Sequence, residues 1–500
     1  GEDGFFLTGT DEHGAKIAEA AKEAGKSPQD FVDGLAPIFE NVCKVLNVEY
    51  NKFFRTTNPE HEKIVQDIIS KLKEAGYIEK RKYEGLYCVG CEKFLTKGDL
   101  VEGKCPDHKT VPIVQSEENY FFLLSKIAKE KDLYNLIKSD EFKVSPVARK
   151  NEVLGKIKAG LEDVSISRES VEWGVKFPGD EKQTVYVWVD ALINYYSATK
   201  IYKNGPTWPA DLHLIGKDIL WFHAVIWPAM LLTIGEKLPK EVFAHGFFTI
   251  GGHKMSKTVG NVLDPIALVE KFGADAVRYA ILREFPFGED GDISEEKIAL
   301  RYEKELANGI GNLLNRTLVM INKYNVKPTK IENDILGTRV ADLTEKLDFH
   351  NALNTIRQII DVGNERIDEE KPWQLAKENK KEELDKLLNE IYWILNSIAK
   401  NIYPYMPETS EKMKDQLVEG EQDRNTLFFK QDVANMVYNE FSGRTNITLD
   451  DILEKILSGK HLFKVQDFKN ALIILEAEKK LNRINHRPRC RSFNESDHFN

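Results

Sequence analysis

Two textures divide the chain. Up to about residue 292, short apolar runs end in glycine or acidic residues. From Ile293 onward, apolar positions recur every three or four residues, with Lys and Glu between them and few glycines. In the first part, residues 4–10 (Gly-Phe-Phe-Leu-Thr-Gly-Thr), 184–189 (Thr-Val-Tyr-Val-Trp-Val), 212–215 and 241–250 read as buried strands. Three of these runs lead into polar or Gly-rich turns, at Asp11-Glu12-His13-Gly14, at Gly216-Lys217-Asp218 and just before Lys254. Strand C-termini of a parallel sheet share one edge, so these turns are expected to converge on one crevice. Asp190-Ala191 is read as the end of the 184–189 strand, with a helix starting at Ile193. Between the strands, Asn58 and Pro59 form a good helix start, Ile64, Val65, Ile68, Ile69 and Leu72 fall on one face, and Gly76 closes the helix. That helix reads as core without chemistry. Further on, residues 305–322, 349–367 and 380–402 fit an α-bundle. Residues 481–500 lack apolar periodicity and read as a disordered end.

Composition narrows the picture. A chain of 500 residues exceeds one core, so roughly three or four domains are expected. Apolar residues make up 42% and charged residues 30%, as in a soluble globular protein. No apolar run approaches the ~20 residues that span a bilayer. A net charge of -10 argues against a sequence-blind DNA coat but leaves room for a local basic face toward one structured RNA. Five unevenly placed cysteines are too few for a disulfide framework, so a reducing compartment is expected.

Two stretches carry the strongest chemical signals. Cys88-Val-Gly-Cys91, thirteen further residues and Cys105-Pro-Asp-His108 have the spacing of a tetrahedral zinc site. Four protein ligands leave no open position, so that zinc would be structural; the bland alternative is two coincidental pairs. Cys43, on an apolar helix face, reads as core. The second stretch, His253-Lys254-Met255-Ser256-Lys257-Thr258, follows Gly251-Gly252 and places two lysines beside a hydroxyl, a composition suited to a polyphosphate. It lacks Walker A spacing. Asp11 reads either as a ligand contact or as a helix cap. The Asp-Glu-His-Gly cluster could hold a metal, but nothing nearby adds ligands at a familiar spacing. His223 is either packed or functional. Asn312 and Arg316 share a helix face, and with Trp373 could stack and read an unpaired base; the plain alternative is a core Trp and a solvated Arg.

Phe-Leu-Thr-Gly-Thr-Asp-Glu-His-Gly (6–14), the Cys-Cys-Cys-His set, Tyr-Val-Trp-Val-Asp-Ala (186–191), Ile-Gly-Lys-Asp-Ile (215–219) and Lys-Met-Ser-Lys-Thr (254–258) occur in this order. Together they resemble the class I methionyl-tRNA synthetases of bacterial or organellar type, over roughly residues 4–410. The resemblance implies an α/β fold with a Rossmann-type parallel sheet, a zinc-knuckle insertion and an all-α anticodon-binding bundle. The corresponding segments are 1–80 and 166–245 for the catalytic halves, 81–165 for the insertion, 246–295 for the lysine-loop region, 296–425 for the bundle and 426–500 for a C-terminal extension. It implies ATP with Mg2+, methionine and tRNA(Met) as substrates, structural Zn2+ on Cys88, Cys91, Cys105 and His108, and a cytoplasmic location, with mitochondrion or plastid as alternatives. Lys254, Ser256 and Lys257 match the triphosphate-stabilising loop, and Asp11 matches the group that receives the methionine ammonium. Trp188, Tyr195, His223 and Trp227 match the methionine side-chain pocket. Gly216 and Asp218 match the adenosine contacts, with Asp218 at the ribose, and Asn312, Arg316 and Trp373 match the anticodon readers.

Two departures stand out. Thr258 replaces the commoner Ser. The family's His-Ile-Gly-His string, expected upstream of residue 6, does not occur. The resemblance therefore implies that the first βα unit is absent, and that this chain alone is inactive and poorly folded in its first domain. The competing expectations are a related Leu, Ile, Val or Cys synthetase, disfavoured by the lack of a large insertion and by the closed zinc set, and a non-catalytic tRNA-binding relative.

Overall fold

The computed structural model describes residues 4–88, 93–95, 100–106, 109–255, 262–329 and 336–419. The chain divides into two compact units, Gly1–Ala274 with Phe285–Ile293, and Asp275–Glu284 with Ser294–Asn500. The change of texture at Ile293 thus falls at a unit boundary, while one earlier helix joins the second unit.

The first unit opens with β1 (Leu7–Thr10), α1 (Ala15–Glu23), α2 (Pro28–Val45), β2 (Lys52–Arg55) and α3 (Pro59–Glu74). β1 and β2 pair in parallel, with Leu7 beside Lys52 and Thr10 beside Arg55, so the turns after both strands leave from the same end. α3 begins as its sequence predicts: the Asn58 side chain accepts the Glu60 amide at 2.8 Å and Pro59 fills the first turn. Its apolar face, Val65, Ile68, Ile69 and Leu72, is buried in the main core.

Next come β3 (Ile78–Cys88), β4 (Lys93–Leu95), β5 (Ile113–Phe122), α4 (Leu124–Glu130), α5 (Leu133–Lys138), β6 (Lys143–Ser145), α6 (Val147–Ala159) and β7 (Val164–Ser165). Four of the strands form an antiparallel sheet in the order β4-β3-β5-β7. β8 (Ser167–Arg168), β9 (Lys176–Phe177) and β10 (Asp180–Val185) make a small antiparallel sheet, followed by α7 (Val187–Ile201). Here the sequence reading fails. The strand stops at Val185, and the helix starts at Val187, so Trp188 and Asp190 stand on the first turn of a helix. Val189 through Ile193 are all buried, and a short run that is apolar on every side does not distinguish a buried helix from a strand.

β11 (Leu212–Gly216) leads into a 3-10 turn at Lys217–Ile219, a π-helical turn at Phe222–Ile226 and α8 (Trp227–Thr233), and β12 (Glu241–His245) follows. β11, β12 and β6 form a parallel sheet with β12 in the middle. The parallel strands, read from sequence as one sheet, therefore lie in two: β1-β2 and β11-β12-β6. Among the described residues β11 is an edge, with Leu212 and Leu214 exposed at 38% and 51%.

The run 241–250 is also split. After a break at Gly246-Phe247, β13 (Phe248–Ile250) pairs antiparallel with β14 (His253–Lys254), and beyond α9 (Pro265–Phe272) it pairs in parallel with β15 (Gly291–Asp292). The break exists because two backbones meet there. A Cβ on Gly246 would stand 2.2 Å from the carbonyl carbon and oxygen of Glu289. The approach lets Asp290 accept the Phe247 amide at 2.8 Å and hold Lys217 Nζ at 2.5 Å.

The second unit is helical, as its periodicity predicts. It contains α10 (Ala274–Glu284), α11 (Glu295–Arg301), a π-helical stretch at Tyr302–Gly311, α12 (Asn312–Lys323), α13 (Gly337–Glu345), α14 (Phe349–Glu370), α15 (Pro372–Lys377), α16 (Lys381–Asn401) and α17 (Pro407–Glu419). Inside it Glu305 accepts the Tyr279 hydroxyl at 2.5 Å and lies 3.3 Å from the buried Arg283 guanidinium.

Since a backbone carbonyl cannot move aside as a flexible side chain can, Gly246→Ala is expected to lower the stability of the first unit by about 2–4 kcal/mol. Its thermal unfolding, followed beside that of the original protein, measures the loss.

Candidate active site

The turn after β1 is built on acidic groups that are neutralised in different ways. Glu12 is buried; it accepts Arg55 Nε at 2.7 Å, Thr10 Oγ1 at 2.8 Å and Thr57 Oγ1 at 2.5 Å. Its backbone is held as well, by Thr56 Oγ1 on its amide at 2.9 Å and by the Trp173 indole N–H on its carbonyl at 2.7 Å. Gly14 follows at φ 105, in the region that favours glycine, and turns the chain into α1.

Asp190, on α7, is buried at 1% exposure, and both its oxygens are taken. His13 Nδ1 donates to Oδ2 and His61 Nε2 donates to Oδ1, each at 2.7 Å. The other nitrogen of His61 lies 2.8 Å from Ser197 Oγ, and His13 Nε2 lies 3.7 Å from Glu62. Burial opposes a charge on His13, but the bond to Asp190 and its charge outweigh that and raise the His13 pKa. Burial likewise works to raise the Asp190 pKa, and the two imidazoles override it and hold it below the usual range.

Asp11 differs from both. Among the described residues it has no hydrogen bond or ion pair, and part of its surface remains open although protein crowds it on the other sides. That is the environment of a crevice floor. The surrounding protein mass first, and then the charge of Asp190, raise its pKa to about 6.

Beside this floor stands an uncharged aromatic wall. His223 Nδ1 donates to the Ile219 carbonyl at 3.0 Å, which leaves Nε2 to accept the Tyr195 hydroxyl at 2.8 Å. Burial pulls the His223 pKa down to about 4 and that of His213 down to about 3; both are neutral near pH 7. Burial, followed by the Asp11 charge, raises the Tyr195 pKa, so its hydroxyl keeps its proton. The Tyr195 ring lies 4.2 Å from His213, and Trp188 stacks on Phe222 at 4.7 Å. Trp208 connects His213 to Trp227, which is fully buried and backs the wall. The π-helical turn adds a residue to the helix where His223 must face Tyr195.

The other sequence candidates fall elsewhere. Asp218 is exposed on the turn after β11, and a Cβ on Gly216 would come within 2.7 Å of its Oδ1. Lys254 lies on β14 with its backbone opposite Thr249; Ser256 and Lys257 lie outside the described residues, as do Cys91 and His108. Cys88 and Cys105 are buried cysteines in a small cluster with Leu95 and Leu100. In the second unit, Asn312 donates to Asn364 at 3.1 Å and Arg316 pairs with Asp368 at 2.6 Å, joining α12 to α14, while Trp373 is 40% exposed. Sequence reading missed His13, His61 and Asp190 as a unit, missed His213, and took the helix that carries His61 for plain core.

Residues 1–111 and 108–318 match the family model described as tRNA synthetases class I (M). The chain is 45% identical, over 83% of its length and 68% of the relative's, to the methionine–tRNA ligase of Caldanaerobacter subterraneus subsp. tengcongensis. It is 42% identical to the chloroplastic/mitochondrial methionine–tRNA ligase of Arabidopsis thaliana, over 85% and 72% of the two chains. Its fold is similar to that of Mycobacterium tuberculosis methionyl-tRNA synthetase bound by methionyl-adenylate, with a TM-score of 0.76 at 36% identity, covering 83% of this chain and 86% of that one. The chain belongs to the methionine–tRNA ligase family. As a class I aminoacyl-tRNA synthetase it carries Asp11, Asp190, Tyr195 and His223 within the span that the family model matches. Among its described residues, no helix is long and apolar enough to cross a membrane.

The neutral wall makes the ligase acid-sensitive in a defined way. An unfolded His takes up a proton near pH 6.5, whereas folded His213 does so only near 3. The unfolded state therefore binds more protons in between, and stability falls as pH drops through that window. His213→Gln is expected to remove this term. Its stability relative to the parent should improve by on the order of 2 kcal/mol between pH 6.5 and 4, as read from denaturant unfolding at each pH.

Proposed function

We propose that the sites on this chain serve the activation of methionine with ATP, forming methionyl-adenylate and pyrophosphate, and the transfer of methionine to the 3′ end of tRNA(Met) in the cytoplasm. One observation carries the reading: a carboxylate at Asp11, open and without a partner among the described residues, stands beside a neutral aromatic wall, a cation site next to an apolar one. Asp11 receives the amino acid's ammonium. Trp188, Tyr195 and His223 face its side chain, with Trp227 behind them. Because the Tyr195 hydroxyl proton is committed to His223, that hydroxyl is no donor to the thioether, to which the wall offers polarisable ring faces. Gly216 and Asp218 meet the adenosine, Asp218 at the ribose.

The methionine carboxylate attacks the α-phosphorus of ATP, forming an O–P bond as the bond to pyrophosphate breaks. Such a step depends on positioning and on stabilising charge more than on covalent help from side chains. Lys254, Ser256 and Lys257 hold the triphosphate and, with Mg2+ brought by ATP, stabilise the leaving pyrophosphate. The terminal ribose hydroxyl of the tRNA then attacks the adenylate carbonyl and releases AMP. Asn312, Arg316 and Trp373 read the anticodon by stacking and edge contacts on unpaired bases. Arg316, paired with Asp368, keeps guanidinium donors for a base.

Cys88 and Cys105 suit a structural zinc ion: among the described residues, two buried cysteines with Leu95 and Leu100 make a small core at the β3-β4 turn. Cys88, Cys91, Cys105 and His108 would bind it, and the ion would supply cross-linking alone.

A stable methionyl-adenylate analogue is expected to bind this chain in preference to its leucyl and isoleucyl counterparts. Equal affinity for the three would overturn the reading. Asp11→Asn should weaken that binding about tenfold or more. In the parent, affinity should decline as pH falls below about 6, where the Asp11 carboxylate takes up a proton. Metal analysis should find one zinc per chain, lost together with hairpin stability in Cys105→Ser.

A further inference from the structure

We propose that Asp190 is a positioning residue for the amino acid's ammonium, acting on Asp11 through His13 and His61. The inference rests on the reading of Asp11 given above and extends it to residues that touch no substrate. Asp11 sits on a turn with little regular structure of its own, two residues from His13. What fixes the far side of that turn is Asp190, whose two oxygens are divided between His13, on the turn itself, and His61, on α3. His61 is completely enclosed and is locked at its other end by Ser197, two residues beyond Tyr195 on the same helix as Asp190. One carboxylate thus ties the substrate turn, α3 and α7 together at 2.7 Å contacts.

The arrangement also settles which acid stays available. The charged and titratable groups that act on Asp11 are Glu12 and His13 on its own turn, His61 from α3, and Asp190 and Tyr195 from α7; Glu62, also on α3, acts on His13 instead. Glu12 is occupied by Arg55, and Asp190 by the imidazoles. Because Asp190 holds His13 by its Nδ1, that ring is directed away from pairing with Asp11. Without Asp190, His13 would be free to turn and close an ion pair on Asp11, removing the open carboxylate that an incoming ammonium needs. A residue that merely props up the fold would support every ligand of the site alike; this one is specific for the ammonium.

The test compares a stable methionyl-adenylate analogue with its des-amino counterpart, by titration calorimetry on the full chain. Asp190→Asn is expected to weaken the amino compound roughly 10–100-fold, the usual range for loss of a supporting partner, and to leave the des-amino compound within about twofold. An equal loss for both compounds, or no loss for either, overturns the inference. Should Asp190→Asn not fold, His61→Gln, which keeps a donor for Asp190 but shifts its position, is read by the same ratio, with a smaller loss confined to the amino compound as the supporting result. A parent chain with no preference for the amino compound refutes the role of Asp11 itself. A parental preference that survives in Asp190→Asn refutes only the present inference.

Discussion

Carboxylates crowded at the end of β1 are the constraint around which the first unit is arranged. At an effective dielectric of about 20, two like charges ~4 Å apart repel by about 4 kcal/mol, against a total of roughly 5–15 kcal/mol that holds a domain folded. The fold answers with hydrogen-bonding partners of two kinds. Arg55 enters from β2, whose parallel register with β1 places it directly beside Thr10. Two imidazoles meet Asp190 from different elements. What remains after this cancellation, among the described residues, is the Asp11 carboxylate without an ionic partner, part of it exposed.

The wall next to that charge follows the opposite rule. His213, His223 and Tyr195 carry polar atoms but no charge, because burial holds the imidazoles neutral and the phenol protonated. A charged floor and a neutral wall, side by side, discriminate between the two ends of one amphipathic molecule. The same residue type plays both parts: the Asp190 carboxylate outweighs burial and pushes His13 toward its charged form, whereas burial outweighs the weaker pull of the Ile219 carbonyl and keeps His223 neutral. Partner chemistry, rather than depth alone, decides the protonation of a buried histidine.

Much of this was legible in the sequence. Asn58-Pro59 and the spacing of Val65, Ile68, Ile69 and Leu72 placed α3 correctly, and the 3.6-residue rhythm after Ile293 located the helical unit. Motif strings pointed to Asp11, Tyr195 and His223, which the fold brings near one another. Three readings failed for physical reasons. The run 184–189 is β-branched and aromatic because it passes from a strand into a helix buried on nearly all sides, and composition cannot mark that passage. The run 241–250 looked continuous because Gly246 is silent about the backbone it must admit. The Asp190 network joins residues 177 positions apart, and no periodicity links His61 to a helix 129 residues later. Such groups announce themselves only through polarity at buried positions, and from sequence alone His61 is one more residue on an amphipathic helix.

The open side of β11 has its own consequence. Among the described residues its sheet ends there, with a row of backbone amides and carbonyls lying beside Leu212 and Leu214. Such an edge is a template for any extended chain that can add itself as a neighbour, another molecule of the same protein included. Protein concentration, more than heat, would then govern how long this molecule stays dispersed.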